Sequence, residues 1–334
     1  MDGIVLLAKN SGKTSFSSLY NVKKALGTTK VGHTGTLDSF AQGLLVVCVG
    51  KLTKLAGNIT EFNKSYSAVI KFGFETDTLE YTGNVIKSAP LPTLESLKSI
   101  LEKYIGKINQ TPPIFSSIHI DGKRASDIAR NGGQVEIKSR QVEVFENELV
   151  DYKLNDKGLV EYCQINFSVS KGTYIRSLAR DIANDLNSAG HLVGLYRTKV
   201  GNFDIKDACG YKLLNDFSID SAISLANAFL DNNQNLNSDK TKNEDLKIQQ
   251  EISSNLLKFN SETAALCGFE PIFINESKEF SFKNGKPLLN EWFEQKMTSY
   301  EVNTKFAVFT KNKEFIGLIS KKDLKHLQYV FVIN

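Results

Sequence analysis

A carboxylate set in glycine-threonine backbone is the first group in this chain with chemical promise. Asp38 lies in residues 30–47, KVGHTGTLDSFAQGLLVV, with Gly32, Thr34, Gly35 and Thr36 before it and the apolar run Leu44-Leu45-Val46-Val47 after it. Glycines permit a tight backbone and the close approach of a ligand, so this carboxylate can be held at the edge of a cleft. An exposed, aimed carboxylate can serve as a nucleophile. The same residues also suit an Asx-turn that leads into a buried strand, and the turn alone does not separate the two readings.

Stepping outward, the flanking segments carry periodic apolar patterns that would hold such a turn. Residues 4–8 read as a first strand. Ser15 can cap a helix with Phe16, Leu19, Val22 and Leu26 on one stripe, stopped by Gly27. Tyr66, Ala68, Ile70 and Phe72 alternate along a strand that ends in the polar turn Thr76-Asp77-Thr78. A helix is expected over residues 94–105, and Thr111-Pro112-Pro113 enforces an extended connection. Cys163, Ile165, Phe167 and Val169 alternate into a further strand. A helix then begins near Tyr174, with Ile175, Leu178, Ala179, Ile182, Ala183 and Leu186 on its apolar face and Arg176 and Arg180 on another flank.

Bulk properties exclude several classes. The chain has 334 residues and 41% hydrophobic composition, enough for a catalytic domain and an appended module. Cys48, Cys163, Cys209 and Cys267 form no CxxC pair and read as reduced core residues of a cytoplasmic protein, not as a disulfide framework or zinc site. No apolar run reaches membrane length, and the start lacks the basic residues and longer core of a signal peptide. Ser11-Gly12-Lys13-Thr14 lacks the first glycine of a phosphate-binding GxxxxGK[ST] loop, which argues against nucleotide hydrolysis. The net charge of +4 is mild, but residues 1–54 hold seven lysines against two aspartates, so a polyanion would meet this end first.

The order of the motifs resembles one family. GHTGTLD followed by A-x-G-L-L is similar to the catalytic-aspartate motif of the TruB family of tRNA pseudouridine synthases, with Ser39 and Gln42 as local departures. K-x-Y-x-A followed by T-D-T resembles a second motif, with Glu80 where the family commonly has aspartate. Thr111-Pro112-Pro113 and Ala129-Arg130-Asn131-Gly132 resemble two further blocks, with His119 and Ser126 departing from the pattern between them. SKGTYIRSLARDI, residues 170–182, resembles SxGTYIRxLxxD. Residues 190–203 resemble GHLxxLxRTxxGxF, with Tyr196 where a second basic residue is common. The likeness covers roughly residues 3–215.

The resemblance implies isomerisation of uridine to pseudouridine at position 55 in the T-loop of tRNA, after the nucleotide has left its stack. It makes Asp38 the nucleophile, attacking sugar C1′ or base C6, and Arg176 its partner. Tyr66 would pack at the target base and assist proton transfer, and Leu195 would lie beside the flipped base. His33, with Gly35 and Thr36, would meet the altered RNA loop, and Lys64, Arg197 and Lys199 would meet phosphate. No cofactor or metal is implied, no membrane and no obligatory protein partner; tRNA, through its T-loop and T-stem, is the implied partner, and the chain is expected to be a monomer. The implied fold is mixed α/β. A mixed-sheet catalytic domain would span residues 1–230 with an RNA-binding insertion near 110–140, and a polar linker or weak helix residues 231–251. A small β-rich module at 252–334 resembles PUA-like RNA-binding modules. Within it, residues 280–286, 306–309 and 315–319 are expected as short β-runs. A non-catalytic tRNA-binding or tRNA-folding module is the alternative.

Overall fold

The computed structural model describes residues 2–116, 118–120, 122–131, 133, 137–231 and 238–333. Its frame is a nine-stranded mixed sheet that carries every element around Asp38. In chain order the elements used below are β1 (Gly3–Lys9), α1 (Ser15–Leu26), β2 (Val31–His33), β3 (Gln42–Val49) and β4 (Lys64–Phe72). They continue with α2 (Leu94–Lys103), β5 (Gly106–Gln110), β6 (Arg140–Leu154), β7 (Val160–Val169), α3 (Ile175–Asp185) and β8 (Gly190–Val200). The sheet runs β1-β3-β8-β4-β7-β6-β5, with β2 added to β3 and the two-residue strand Phe203–Asp204 added to β8. Its pairings are antiparallel except β3 with β8, which run parallel where Gln42 and Gly43 meet Tyr196 and Arg197.

Burial on both faces explains why β1 and β3 read as continuous apolar runs: every residue of each is buried. On one side α3 packs Leu178, Ala179, Ile182 and Ala183, all fully buried, against Ile70, Phe72 and Leu192. Each large aliphatic of this kind contributes roughly 1.5–3 kcal/mol on burial. Gly190 admits α3 closely, since a side-chain carbon there would fall 2.8 Å from the Ala183 methyl.

Two expectations change at the N-terminal helix. Its cap is Thr14, whose side chain accepts from Ser17 N, while Gly27 closes it in the left-handed conformation as expected. The buried face is Ser15, Ser18, Leu19, Asn21 and Val22, and Phe16 stands 71% exposed. Apolar spacing placed Phe16 on the stripe, but the polar Ser15 and Ser18 take inward positions, Ser15 bonded to Leu37 of the loop below and Ser18 to Thr14 O at the helix start.

The expected linker lies partly outside the described residues, at 232–237. Beyond it, Ser238–Ser254 forms α4, whose Ile248 and Ile252 are buried with Leu19, Val22, Val5 and Leu7. Asp245 on α4 accepts from Asn21 Nδ2 at 2.7 Å and from Lys13 Nζ at 3.3 Å. The C-terminal part holds a four-stranded sheet, β9 (Glu270–Phe273), β10 (Lys305–Phe309), β11 (Phe315–Lys321) and β12 (Leu327–Val332), in that order. Phe309, Phe315 and Leu318 share a core with Ile4, Leu6, Leu44 and Val46, so the two sheets are packed together. The β-run expected at 280–286 is instead a short helix, Glu279–Lys283. Phe280 and Phe282 alternate like strand residues, yet five residues cannot distinguish a strand from one helical turn, and Gly285 then turns the chain at φ +68°. Within the expected insertion near 110–140, residues 117, 121, 132 and 134–136 lie outside the described residues, so Gly132 of the A-R-x-G block does too.

Candidate active site

The Asp38 turn is fastened at nearly every residue. Thr34 donates to Val46 O from its backbone at 3.0 Å and from its hydroxyl at 3.2 Å. Ser15 Oγ of α1 accepts from Leu37 N at 2.8 Å and lies 3.0 Å from Leu37 O. Gly12 N donates to Ser39 O at 2.8 Å and Ser11 Oγ to Phe40 O at 2.7 Å. Leu37 and Phe40 are buried on either side, leaving the Asp38 side chain 31% exposed between them. A carboxylate that reaches solvent from an immobile turn is a prepared reactive group.

Arg176 enters from the first turn of α3. Its Nη2 donates to Asp38 Oδ1 at 3.0 Å and to Phe115 O at 2.9 Å, and its Nη1 to Thr78 O at 3.0 Å. The helix charge expected on an outer flank is thus 5% exposed and spans three segments distant in sequence. The start of α3 is aimed by fully buried Gln110, which accepts from Tyr174 N at 2.8 Å and donates to Tyr174 O at 3.1 Å. The prolines after Gln110 therefore matter by bringing Phe115 O to the guanidinium.

Glu80 is a second carboxyl in the field of this ion pair. Burial above all, helped by Asp38 and opposed by Arg176, raises it from 4.5 to about 7. Thr82 Oγ1 donates to its Oε1 at 2.8 Å. Near neutral pH Glu80 therefore exchanges its proton within the field of the Asp38–Arg176 pair.

Tyr66 lies half-buried on β4, and Leu195 on β8 is 5% exposed opposite Ala68, both against the cluster that contains Leu37 and Phe40. His33 ends β2, and its burial, with Arg197 close by, lowers its pKa. Thr36 is exposed on the turn, and the carbonyls of Gly35 and Thr36 both accept from Arg197. Lys199 stays largely exposed, 3.8 Å from Asp204.

Two basic residues need correction. Arg197 is 2% exposed and donates to Leu44 O at 2.8 Å, Gly35 O at 3.1 Å and Thr36 O at 3.4 Å, so its donors hold the turn and are not free for phosphate. Lys64 is 8% exposed and its amine donates to Phe62 O at 2.6 Å and Thr60 O at 2.5 Å, closing the end of a short helix. Both charges are spent on backbone carbonyls.

Sequence reasoning missed Lys9. At 1% exposure its amine donates to Asn10 O at 3.1 Å, Ser39 O at 3.3 Å and Ala41 O, tying β1 to the turn from below. Burial pushes the amine down to about 7, Asp38 pulling it up and Arg197 pushing it further down. The available signal was a lysine at the end of an otherwise apolar strand.

Comparisons with known proteins give the chain's family and fold. Residues 23–175 match the model of the TruB family pseudouridylate synthase, N-terminal domain. A tRNA pseudouridine synthase B of Treponema denticola is 41% identical over 310 residues, covering 87% of this chain and 85% of that one. The chain belongs to the TruB family of pseudouridylate synthases. A second TruB relative, tRNA pseudouridine synthase B of Borrelia garinii, is 45% identical over 226 residues, 67% of this chain and 79% of that one. Among solved structures, an H/ACA RNP bound to a substrate RNA containing 2′-deoxyuridine aligns with TM-score 0.63 over 99% of this chain and 85% of that one, at 16% identity. A Cbf5-Nop10-Gar1 complex aligns with TM-score 0.62 over 99% and 84%, at 20% identity. These two likenesses speak to the fold. The TruB membership makes the chain an enzyme of the pseudouridine-forming, isomerase class.

Proposed function

We propose that this TruB-family enzyme converts uridine to pseudouridine at position 55 in the T-loop of tRNA, on a nucleotide turned out of its stack. The observation that carries the reading is the Asp38–Arg176 pair, 3.0 Å apart, with the carboxylate reaching solvent and the guanidinium buried. The names of the relatives supply tRNA as the substrate class.

In this reading the carboxylate of Asp38 attacks C1′ of the ribose and the C1′–N1 bond breaks, its electrons leaving on the base. The base turns, C5 displaces the carboxylate at C1′, and the hydrogen on C5 is exchanged for one on N1. Atoms and charge balance without a cofactor. Arg176 aims the nucleophile, Tyr66 gives a ring to the base and a hydroxyl to the proton transfer, and Leu195 supplies an apolar wall. His33 and Thr36 line the turn side where the RNA loop would sit, and Lys199 is the remaining exposed base for phosphate. The chain acts as a monomer in the cytoplasm, a compartment that suits four buried, unpaired cysteines.

The test is to incubate purified protein with unmodified tRNA and map pseudouridine at nucleotide resolution. Wild type should modify one T-loop uridine, and Asp38→Asn should lose at least about four orders of magnitude in rate while still binding tRNA. Binding without product by wild type would make the chain a tRNA-binding or tRNA-folding module instead.

A further inference from the structure

We propose that the outer face of α1 binds the phosphodiester backbone of the tRNA, at a surface separate from the pocket that takes the reacting base. The proposal rests on the tRNA reading above. Its starting point is the helix's departure from the expected apolar stripe. Phe16 and Tyr20, one turn apart, are 71% and 58% exposed, and Lys23 and Lys24 continue the same face. The Lys23 amine sits 5.0 Å from the Phe16 ring centroid and the Lys24 amine 5.7 Å from that of Tyr20.

Two lysines in the last turn favour the helix dipole, but that accounts for neither exposed ring. A ring with an ammonium over it is a platform of the kind that takes a ribose or base face while the amine meets the adjoining phosphate. The helix itself contains no acidic residue. Asp245, the acid that faces it from α4, is already bonded to Lys13 and Asn21. A second copy of the chain would bring like charges together, and two aromatics make too narrow an apolar face for a membrane surface.

Position supports the same occupant. The first turn of α1 is bonded to the catalytic turn through Ser15 and Leu37, so a polyanion seated in the active cleft lies beside this helix. A groove of about 380 Å³ lined by Lys9, Asn10, Lys13, Tyr20 and Asp245 runs between α1 and α4 at that junction. Lys23 and Lys24 belong to the lysine excess of residues 1–54.

The test measures the Kd of the full chain for unmodified tRNA across a salt series, together with kcat and KM. The double variant Lys23→Ala/Lys24→Ala should weaken binding about tenfold at 0.1 M salt and lower the slope of log K against log salt by about two. KM should rise with kcat unchanged, and Lys23→Arg/Lys24→Arg should restore both. Phe16→Ser/Tyr20→Ser should raise Kd several-fold and leave the salt slope alone. Unchanged Kd and slope in variants with wild-type circular dichroism would overturn the proposal, as would loss of binding to phosphatidylserine vesicles with tRNA binding intact. Salt-dependent binding without any pseudouridine product would sink the proposed reaction and leave this surface standing.

Discussion

The amine of Lys9 donates to the carbonyl of Ser39, the residue next to Asp38, at 3.3 Å. A buried lysine at the end of β1 therefore holds the reactive turn by its backbone, with Ala41 and Asn10 as its other acceptors.

Lys9→Met keeps most of the volume and removes the donor. Three carbonyls lose a partner, while the cost of burying an amine disappears, so the net loss should be about 2 kcal/mol in urea unfolding near pH 10 and smaller at neutral pH. The folded protein binds this proton more weakly than the unfolded chain. The stabilisation from the lysine is therefore complete above its ordinary 10.5 and lost as pH falls through about 7. Activity should fall on the order of tenfold in kcat, because a loosened turn misplaces the carboxylate. An unchanged kcat would show that the remaining bonds from Ser11, Gly12, Ser15, Thr34 and Arg197 hold the turn without the lysine.

Arg176→Lys tests geometry at constant charge. The guanidinium reaches Asp38, Phe115 O and Thr78 O from two nitrogens, and an ammonium cannot match that fork. Single-turnover rate should drop by about two to three orders of magnitude, with tRNA affinity within a few-fold of wild type. A rate near wild type would leave charge as the arginine's whole contribution.

The sequence made the sheet and the turn legible because their signals are local. Alternation at Cys163, Ile165, Phe167 and Val169 gives a strand whoever its neighbours are, and Gly27 marks a helix end by its own backbone freedom. What stayed hidden depends on partners far along the chain. Arg197 reads as a free charge, yet it is consumed by the carbonyls of Gly35, Thr36 and Leu44, which only the folded chain brings near, whereas Lys64 is held by Thr60 O and Phe62 O just before it. Arg176 fell off the apolar stripe of its helix and was still buried, since three polar acceptors replace an apolar neighbour. Phe16 failed in the other direction, exposed although its spacing was apolar.

Glu80→Gln addresses the exchanging proton. Burial raises this carboxyl to about 7, so its stabilising protonated form is complete below the ordinary 4.5 and is lost as pH rises through about 7. The glutamine variant should be more stable than wild type at pH 8, on the order of 2 kcal/mol, and equal to it at low pH. The wild-type profile of log kcat/KM should bend near 7, where Arg176 begins to be shared by two carboxylates, and the variant's should run flat there. A bend that survives in the variant would assign the ionisation to another group, with Lys9 next to be tested.

Gly43→Ala probes the one parallel contact in the frame. Gly43 adopts φ +122°, and a methyl built on it would fall 2.3 Å from Arg197 O and 2.6 Å from Arg197 N. Either β3 parts from β8 or the backbone of Arg197 shifts, at a cost on the order of 3 kcal/mol from strain and overpacking together. The shift would carry the Arg197 guanidinium away from Gly35 O and Thr36 O, so the carboxylate two residues further on loses its place even where the chain still folds. At a temperature where the variant is fully folded by circular dichroism, kcat should be reduced at least tenfold with KM for tRNA little changed. Full activity in the folded variant would show that Arg197 keeps its carbonyls without the close strand contact, and that the turn does not depend on the sheet edge beneath it.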